Sequence, residues 1–217
     1  MMSTQKWLRR ASNCLCSLFP PQCLHCLETH TALGSPLCKL CVSLMEVREA
    51  ESILISFSRF SPAASLMRQF KKRGDLPTGK LLAAYMAFHY ARSSFSLPDL
   101  ITAVPSTRFR KWQTSGGTAE LLAEELGKIL QRPAIRCLKR VRQLLRQDTL
   151  EREERLKLSS DDFALRHKVN IRGKHILLID DTITTGSTLQ ATAEHLWQAS
   201  ALQVTKMACL DLGYLRD

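Results

Sequence analysis

The chain has 217 residues, a formal net charge of +11 and a 45% hydrophobic fraction. That is enough apolar material for one packed domain, or one domain with a small accessory module, and it excludes wholesale disorder. Charges break every apolar run well short of eighteen residues, so no transmembrane helix is expected. The Met1–Arg10 start leads into no clean apolar stretch or small-residue cleavage site, which argues against a signal peptide.

The first unit, 1–50, is short and Cys-rich, with Pro20, Pro21, Gly34 and Pro36. Cys23-Leu-His-Cys26 and Cys38-Lys-Leu-Cys41 form a Cys-x2-Cys…Cys-x2-Cys array. Four thiolates at this spacing suit a closed, structural tetrahedral Zn²⁺ site, a small zinc-ribbon-like module. Metal binding can fold such a module even though it has almost no core of its own. His25 and His30 are alternative ligands, and two disulfides or four free thiols are the competing readings. The tight Cys-x2-Cys pairs read as reduced, which makes disulfides unfavoured and the cytoplasm the expected compartment. Cys137 and Cys209 sit in apolar stretches and read as core residues.

The second unit, 51–217, alternates. Residues 56–94 read as connector and helix, with Leu81, Leu82, Tyr85, Met86 and His89 at helical spacing. Leu100–Val104, stopped by Pro105, reads as a buried strand, and Thr118–Leu130 as a helix. His175–Ile179 is a second buried strand, Ser187–Ala199 a second helix, and Val204–Leu210 a third strand. Strands alternating with helices predict an α/β fold, a parallel sheet flanked by helices. Ligands of such sheets bind beyond the carboxyl ends of the strands, just after Val104 and just after Ile179.

After Ile179 comes Asp180-Asp181-Thr-Ile-Thr-Thr-Gly-Ser-Thr188. Two carboxylates at a strand end suit a vicinal diol donating hydrogen bonds. Thr184, Thr185, Gly186, Ser187 and Thr188 open a helix whose N–H groups and dipole suit a phosphate dianion. Gly186 lets backbone approach that phosphate closely. A sugar with a diol at one end and a phosphate at the other, such as ribose 5-phosphate, spans the loop. The bland alternative is an N-capped helix after a strand, which requires neither the adjacent aspartates nor the glycine. A second anion loop is expected at Pro105-Ser-Thr-Arg108, where Ser106 and Arg108, with Arg110 nearby, face a diphosphate.

Two basic clusters invite a polyanion: Arg68, Lys71, Lys72 and Arg73, and the run Arg132, Arg136, Lys139, Arg140, Arg142 and Arg146, which contains no acidic residue. A solvated, solubilising face explains them equally well. Of these, Lys71, Lys72, Arg73, Arg136, Lys139 and Arg140 are the candidate nucleic-acid contacts. Phe109 and Trp112 are the nearest stacking aromatics, although Trp112 suits packing as well.

The strand, acidic pair and hydroxyl-Gly-hydroxyl turn resemble the signature of type I phosphoribosyltransferases. The chain from about Phe19 to Asp211 resembles the ComF family. The resemblance is carried by Phe19-Pro-Pro-Gln-Cys23, Phe70-Lys-Lys-Arg-Gly-Asp75, Asp99–Pro105, Ala119-Glu-Leu-Leu-Ala123, Leu150-Glu-Arg-Glu-Glu-Arg-Leu156 and the phosphate loop. The resemblance implies a zinc-finger-like module on a phosphoribosyltransferase-like domain that takes phosphoribosyl pyrophosphate with Mg²⁺. It also implies a part in natural competence, the handling of incoming single-stranded DNA alongside uptake proteins at the inner membrane.

The chain departs from the family pattern at Thr114-Ser-Gly-Gly-Thr118 and at Leu158, while Gln147, Arg152 and Arg155 are kept. These departures weaken the case for transfer more than the case for binding, and no motif marks an acceptor or a catalytic base. Three readings follow: a phosphoribosyltransferase, a single-stranded DNA handling protein on the same fold, and a sensor of phosphoribosyl pyrophosphate that does not turn it over.

Overall fold

The computed structural model describes residues 22–23, 25–28, 37–45, 48–50, 53–74, 76–105, 117–141, 163–166 and 169–214. Seven strands and five helices are defined there: α1 (Lys39–Ser43), β1 (Arg48–Ala50), β2 (Ile53–Phe57), α2 (Ala63–Arg73), α3 (Leu76–Arg92), β3 (Leu100–Ala103), α4 (Thr118–Leu130), β4 (Leu138–Arg140), β5 (Phe163–Leu165), β6 (His175–Ile183), α5 (Ser187–Gln198) and β7 (Gln203–Asp211). The main sheet runs in the order β1-β2-β7-β6-β3. β2, β7, β6 and β3 are mutually parallel, and β1 is an antiparallel edge. A separate pair, β4 and β5, is antiparallel.

The alternation of the pleat divides the core into two layers. Leu177 and Ile179 of β6 face one side, with Leu66, Met67 and Phe70 of α2, Leu82, Met86 and Tyr90 of α3, and Leu122 and Leu126 of α4. Ile176 and Leu178 face the other, with Leu189, Ala193 and Leu196 of α5. Strands covered on both faces carry apolar residues at successive positions, which is why β2, β3 and the first part of β6 are continuously buried.

The expected strands and helices of the parallel sheet are present. Two elements differ in extent. β6 runs on through Asp180, Asp181, Thr182 and Ile183, because Asp180 pairs with Ala208, Thr182 with Leu210 and Ile183 with Asp211. β2 was not among the expected strands; it begins just before the stretch 56–94 read as connector and helix and pairs in parallel with β7 through Leu54, Ile55 and Phe57. β1 precedes the division expected at residue 50 and pairs with β2. Cys23, Leu37 and Cys41 belong to the same buried layer as Leu66 and Met67. Among the described residues no helix is long and apolar enough to cross a membrane.

Phe57 is fully buried and meets Tyr85 of α3 edge-on, with ring centroids 5.7 Å apart. It ties β2 to the helical layer. Phe57→Ala is expected to lower the free energy of unfolding by about 3–5 kcal/mol, the cost of a cavity left by a buried phenyl ring. Chemical unfolding at neutral pH measures it, and a loss below about 1 kcal/mol would show that β2 is peripheral to the core.

Candidate functional site

The parallel strands β2, β7 and β6 end on one edge of the sheet, and the residues that follow β6 cross it. Asp180 and Asp181 lie within the last four residues of β6; Asp181 is buried and Asp180 partly exposed. The Asp181 amide donates to Asp180 Oδ1 at 2.8 Å. Both Asp181 oxygens are engaged: Oδ1 accepts from Thr182 Oγ1 at 2.9 Å, and Oδ2 lies 3.2 Å from Lys71 Nζ. Lys71 also donates to Thr182 Oγ1 at 3.2 Å. The Asp180 carboxyl is pushed up to about 7, first by desolvation and next by the negative charge of Asp181; its backbone hydrogen bonds and Lys71 oppose the rise.

Beyond Ile183 the chain turns through Thr184 and Thr185, both exposed, to Gly186 at φ +74. That left-handed conformation is strained for any side chain, and a Cβ at Gly186 would stand 2.8 Å from the Tyr214 ring. Glycine is therefore required on two counts. Gly186 is the N-cap of α5, whose first ladder bond runs from Gln190 N to Gly186 O. The amides of Thr188 and Leu189 thus precede the ladder, at the positive end of the helix dipole. Ser187 N donates to Thr185 Oγ1 at 3.4 Å, and the Thr185 and Ser187 hydroxyls are 2.9 Å apart. The result is a run of hydroxyls and amides with two carboxyl groups at its start. Tyr214 forms its back, on a turn made as Asp211 Oδ1 accepts from the Gly213 and Tyr214 amides. Chemically, the run can accept from a diol and donate to a phosphate.

The four cysteines of the N-terminal array come together: the sulfurs of Cys23, Cys26, Cys38 and Cys41 all lie within 4.8 Å of one another. A tetrahedral ion bound by four sulfurs at about 2.3 Å needs them about 3.8 Å apart. Cys26 Sγ and Cys38 Sγ are 3.9 Å apart, and the Cys41 amide donates to Cys38 Sγ. Residues and spacing fit a closed four-thiolate site. Burial works against ionising Cys23, yet hydrogen bonds from the Cys26, Cys38 and His25 backbone outweigh it and bring that thiol down to about 6. His25 is turned elsewhere, its Nδ1 3.0 Å from Ser65 Oγ of α2.

The basic residues divide. Lys71 is not part of a free cationic surface but sits at the acidic pair. Arg136 lies 3.4 Å from Glu120 and 3.1 Å from Glu124 of α4. Lys72 and Lys139 are exposed, and the Arg140 guanidinium stands 5.7 Å over the Phe163 ring. The side chain of Arg73 lies outside the described residues, as do Ser106, Arg108, Phe109, Arg110, Trp112, Gln147, Arg152 and Arg155. The contact of Lys71 with Asp181 and Thr182 was not foreseen from the sequence, where only its place in a run of three basic residues was visible.

Residues 114–210 match the family model described as the phosphoribosyl transferase domain. Competence protein F of Haemophilus influenzae is 29% identical over 175 residues, 78% of this chain and 75% of that protein. The DNA utilization protein YhgH of Escherichia coli K12 is 28% identical over 159 residues, 70% of this chain and 69% of that protein. Among solved structures, adenine phosphoribosyltransferase from Leishmania donovani aligns over 76% of this chain and 75% of its own, at 15% identity and a TM-score of 0.46.

The raised Asp180 carboxyl carries a stability consequence. A carboxyl held above its unfolded value of about 4 binds its proton longer in the folded state, so stability falls as pH rises from about 4 to about 7. Asp180→Asn removes that loss and keeps an oxygen for the Asp181 amide. The variant is expected to melt higher than wild type at pH 8 and with little difference at pH 4. Thermal unfolding at the two pH values decides it; an equal shift at both would mean that Asp180 is not held protonated by its surroundings.

Proposed function

We propose that this chain, a ComF-family protein with a phosphoribosyltransferase-like fold, binds phosphoribosyl pyrophosphate on the loop 180–188 and serves DNA uptake or utilisation, as the names of its relatives suggest. The observation that carries the ligand reading is the order of groups along that loop. The acidic pair at the end of β6 is followed by the hydroxyls of Thr184 and Thr185, left-handed Gly186, and the opening amides of α5. Ribose hydroxyls donate to the carboxyl groups, and the 5-phosphate takes the amides of Ser187, Thr188 and Leu189 with the Thr185 and Ser187 hydroxyls. Mg²⁺ accompanies the diphosphate, and Ser106 and Arg108 are the residues we assign to that end. Neutralising the diphosphate is the chemistry the ion supplies when bound.

At the N-terminus we assign Zn²⁺ to Cys23, Cys26, Cys38 and Cys41. Four thiolates leave no open coordination position, so the role is structural. The module, 1–50, is read as a unit apart from the ligand domain, 51–217, onto which its buried cysteines pack. Exposed Lys72, Lys139 and the Phe163-stacked Arg140 are the groups we assign to a nucleic-acid backbone.

Calorimetric titration of phosphoribosyl pyrophosphate with Mg²⁺ is expected to give binding to wild type and none to the double variant Asp180→Asn, Asp181→Asn, with circular dichroism unchanged. Equal affinity in the double variant would reject the site. Single-stranded DNA bound by a protein that ignores the small ligand would mean that the fold serves nucleic acid alone. Elemental analysis of freshly purified protein is expected to find about one zinc per chain, lost in Cys41→Ser together with several degrees of thermal stability. Protein that is folded and free of zinc would remove the metal assignment.

A further inference from the structure

The turn between β2 and α2 carries Arg59 and Phe60, both exposed, at the edge of the sheet where the parallel strands end. Strand pairing sets Phe57, Leu210 and Thr182 in one row across β2, β7 and β6. Ser58, which opens the turn, is therefore level with the last residues of β7 and β6. Side chains connect the turn to the loop that follows β6. A Cβ at Gly186 would stand 2.8 Å from the Tyr214 ring, and one at Gly213 would stand 3.8 Å from Arg59 Nη1. The Arg59 guanidinium in turn lies 4.7 Å over the Phe60 ring. One strand, β7, separates the turn from β6, a distance of about 10 Å at the usual strand spacing.

A single exposed apolar side chain needs no explanation. This one is presented on a fixed backbone. Ser58 and Ser61, on either side, are buried. The Ser61 amide donates to the Ser58 carbonyl at 3.0 Å, and the Phe60 amide donates to Ser58 Oγ at 3.2 Å. Pro62 and Ala63 are buried as α2 begins. The Phe60 side chain nevertheless stays 67% exposed. A phenyl ring held out with a cation over its face offers a flat surface to another planar group. The exposure decides which kind. Small-molecule sites enclose most of their ligand, and a free base resting on so open a ring would keep much of its surface in water. A base in a longer strand needs no enclosure, because neighbouring nucleotides and their phosphates supply the rest of the binding. The net charge of +11 favours such a polyanion.

Resting on the nucleic-acid reading given above, we propose that Phe60, with Arg59 over it, is a stacking platform for a base of single-stranded DNA at the carboxyl edge of the sheet. Phe88 of α3 supplies the comparison. It is 58% exposed, and the Arg92 guanidinium lies 5.5 Å over its ring. It lies toward the end of α3, however, from which the chain goes on to the start of β3 at the opposite edge. If exposure and a guanidinium were enough, the two rings would serve equally; position beside the loop singles out Phe60.

The experiment measures affinity for a short oligothymidylate over a range of salt in the full chain and in Phe60→Ala, Phe60→Leu, Phe60→Trp and Phe88→Ala. Phe60→Ala is expected to bind about five- to a hundredfold more weakly, the range for one stacked base. Its salt dependence is expected to match wild type, because no phosphate contact is lost. Phe60→Leu keeps an apolar side chain without the flat face, and is expected to lose affinity as well; it carries the test should Phe60→Ala fold poorly. Phe60→Trp is expected to bind at least as well as wild type, with tryptophan fluorescence quenched by the oligonucleotide beyond the wild-type change. Phe88→Ala is expected to stay within about twofold of wild type. Wild-type affinity in Phe60→Leu, or equal losses in Phe60→Ala and Phe88→Ala, overturns the platform and leaves the nucleic-acid reading standing. Self-association of wild type that disappears in Phe60→Ala assigns the ring to a second copy and likewise overturns it. Wild type that takes phosphoribosyl pyrophosphate but no oligonucleotide overturns the nucleic-acid reading and the platform with it.

Discussion

Two carboxyl groups in adjacent positions at the end of a buried central strand are the feature around which the site is arranged. Such a pair is unfavourable by itself: desolvation and mutual repulsion both oppose its ionisation, and Asp180 shows the effect in its raised carboxyl. The fold offsets this with a cation from outside the strand. Lys71 stands beside Asp181, and Thr182 bridges the two. The helix carrying Lys71 must therefore lie close to the strand carrying the pair, which requires the apolar contacts of Leu66, Met67 and Phe70 against the sheet. An arrangement that costs stability in the absence of ligand is common where a protein must recognise something, and it is retained only when surrounding packing holds it in place.

The second constraint is the turn that follows. β6 is held extended through Ile183 by its pairing with β7, and α5 begins at Ser187. Three residues must carry the chain from one direction to the other, and Gly186 does so with a positive φ in the space that Tyr214 leaves. The aspartates are thus fixed by sheet pairing, the helix N-terminus by the packing of Leu189, Ala193 and Leu196, and the hydroxyls between them by a turn with little freedom. The spacing between the carboxyl end and the amide end of the loop is therefore set by the two packed layers rather than by the loop itself.

Much of this was legible in the sequence, and the gaps have physical causes. The buried strands at Leu100 and His175 and the helices at Thr118 and Ser187 stood out because apolar runs and helical periodicity each imply one backbone state. The loop was legible for the same reason, since acidic pair, glycine and hydroxyls are local in sequence. β2 was not, because Ile53-Leu-Ile-Ser-Phe57 is five residues long and its partner, β7, lies some 150 residues away; a short apolar run does not announce which sheet it joins. The extension of β6 through Asp180–Ile183 was likewise hidden, because pairing with Ala208, Leu210 and Asp211 overrides what looks like turn chemistry. Lys71 was visible only as one charge of a basic run. Charge runs are usually solvated faces, and whether one member turns inward depends on the side of the helix that is buried, not on composition.

That dependence on helix geometry also explains why α2 meets two parts of the protein. Ser65 and Lys71 are six residues apart, about 1.7 turns, so they lie on opposite flanks of the buried stripe and about 9 Å apart along the axis. Ser65 receives His25, from between the first two cysteines, and Lys71 receives Asp181. Between them Leu66, Met67 and Phe70 are locked into the core, in a layer that also takes in Cys23, Leu37 and Cys41. A helix held in this way cannot shift toward one neighbour without shifting away from the other, since a packed interior transmits displacement rather than absorbing it. The cysteine cluster and the acidic pair, far apart in sequence, therefore both meet one helix whose place is fixed by the core.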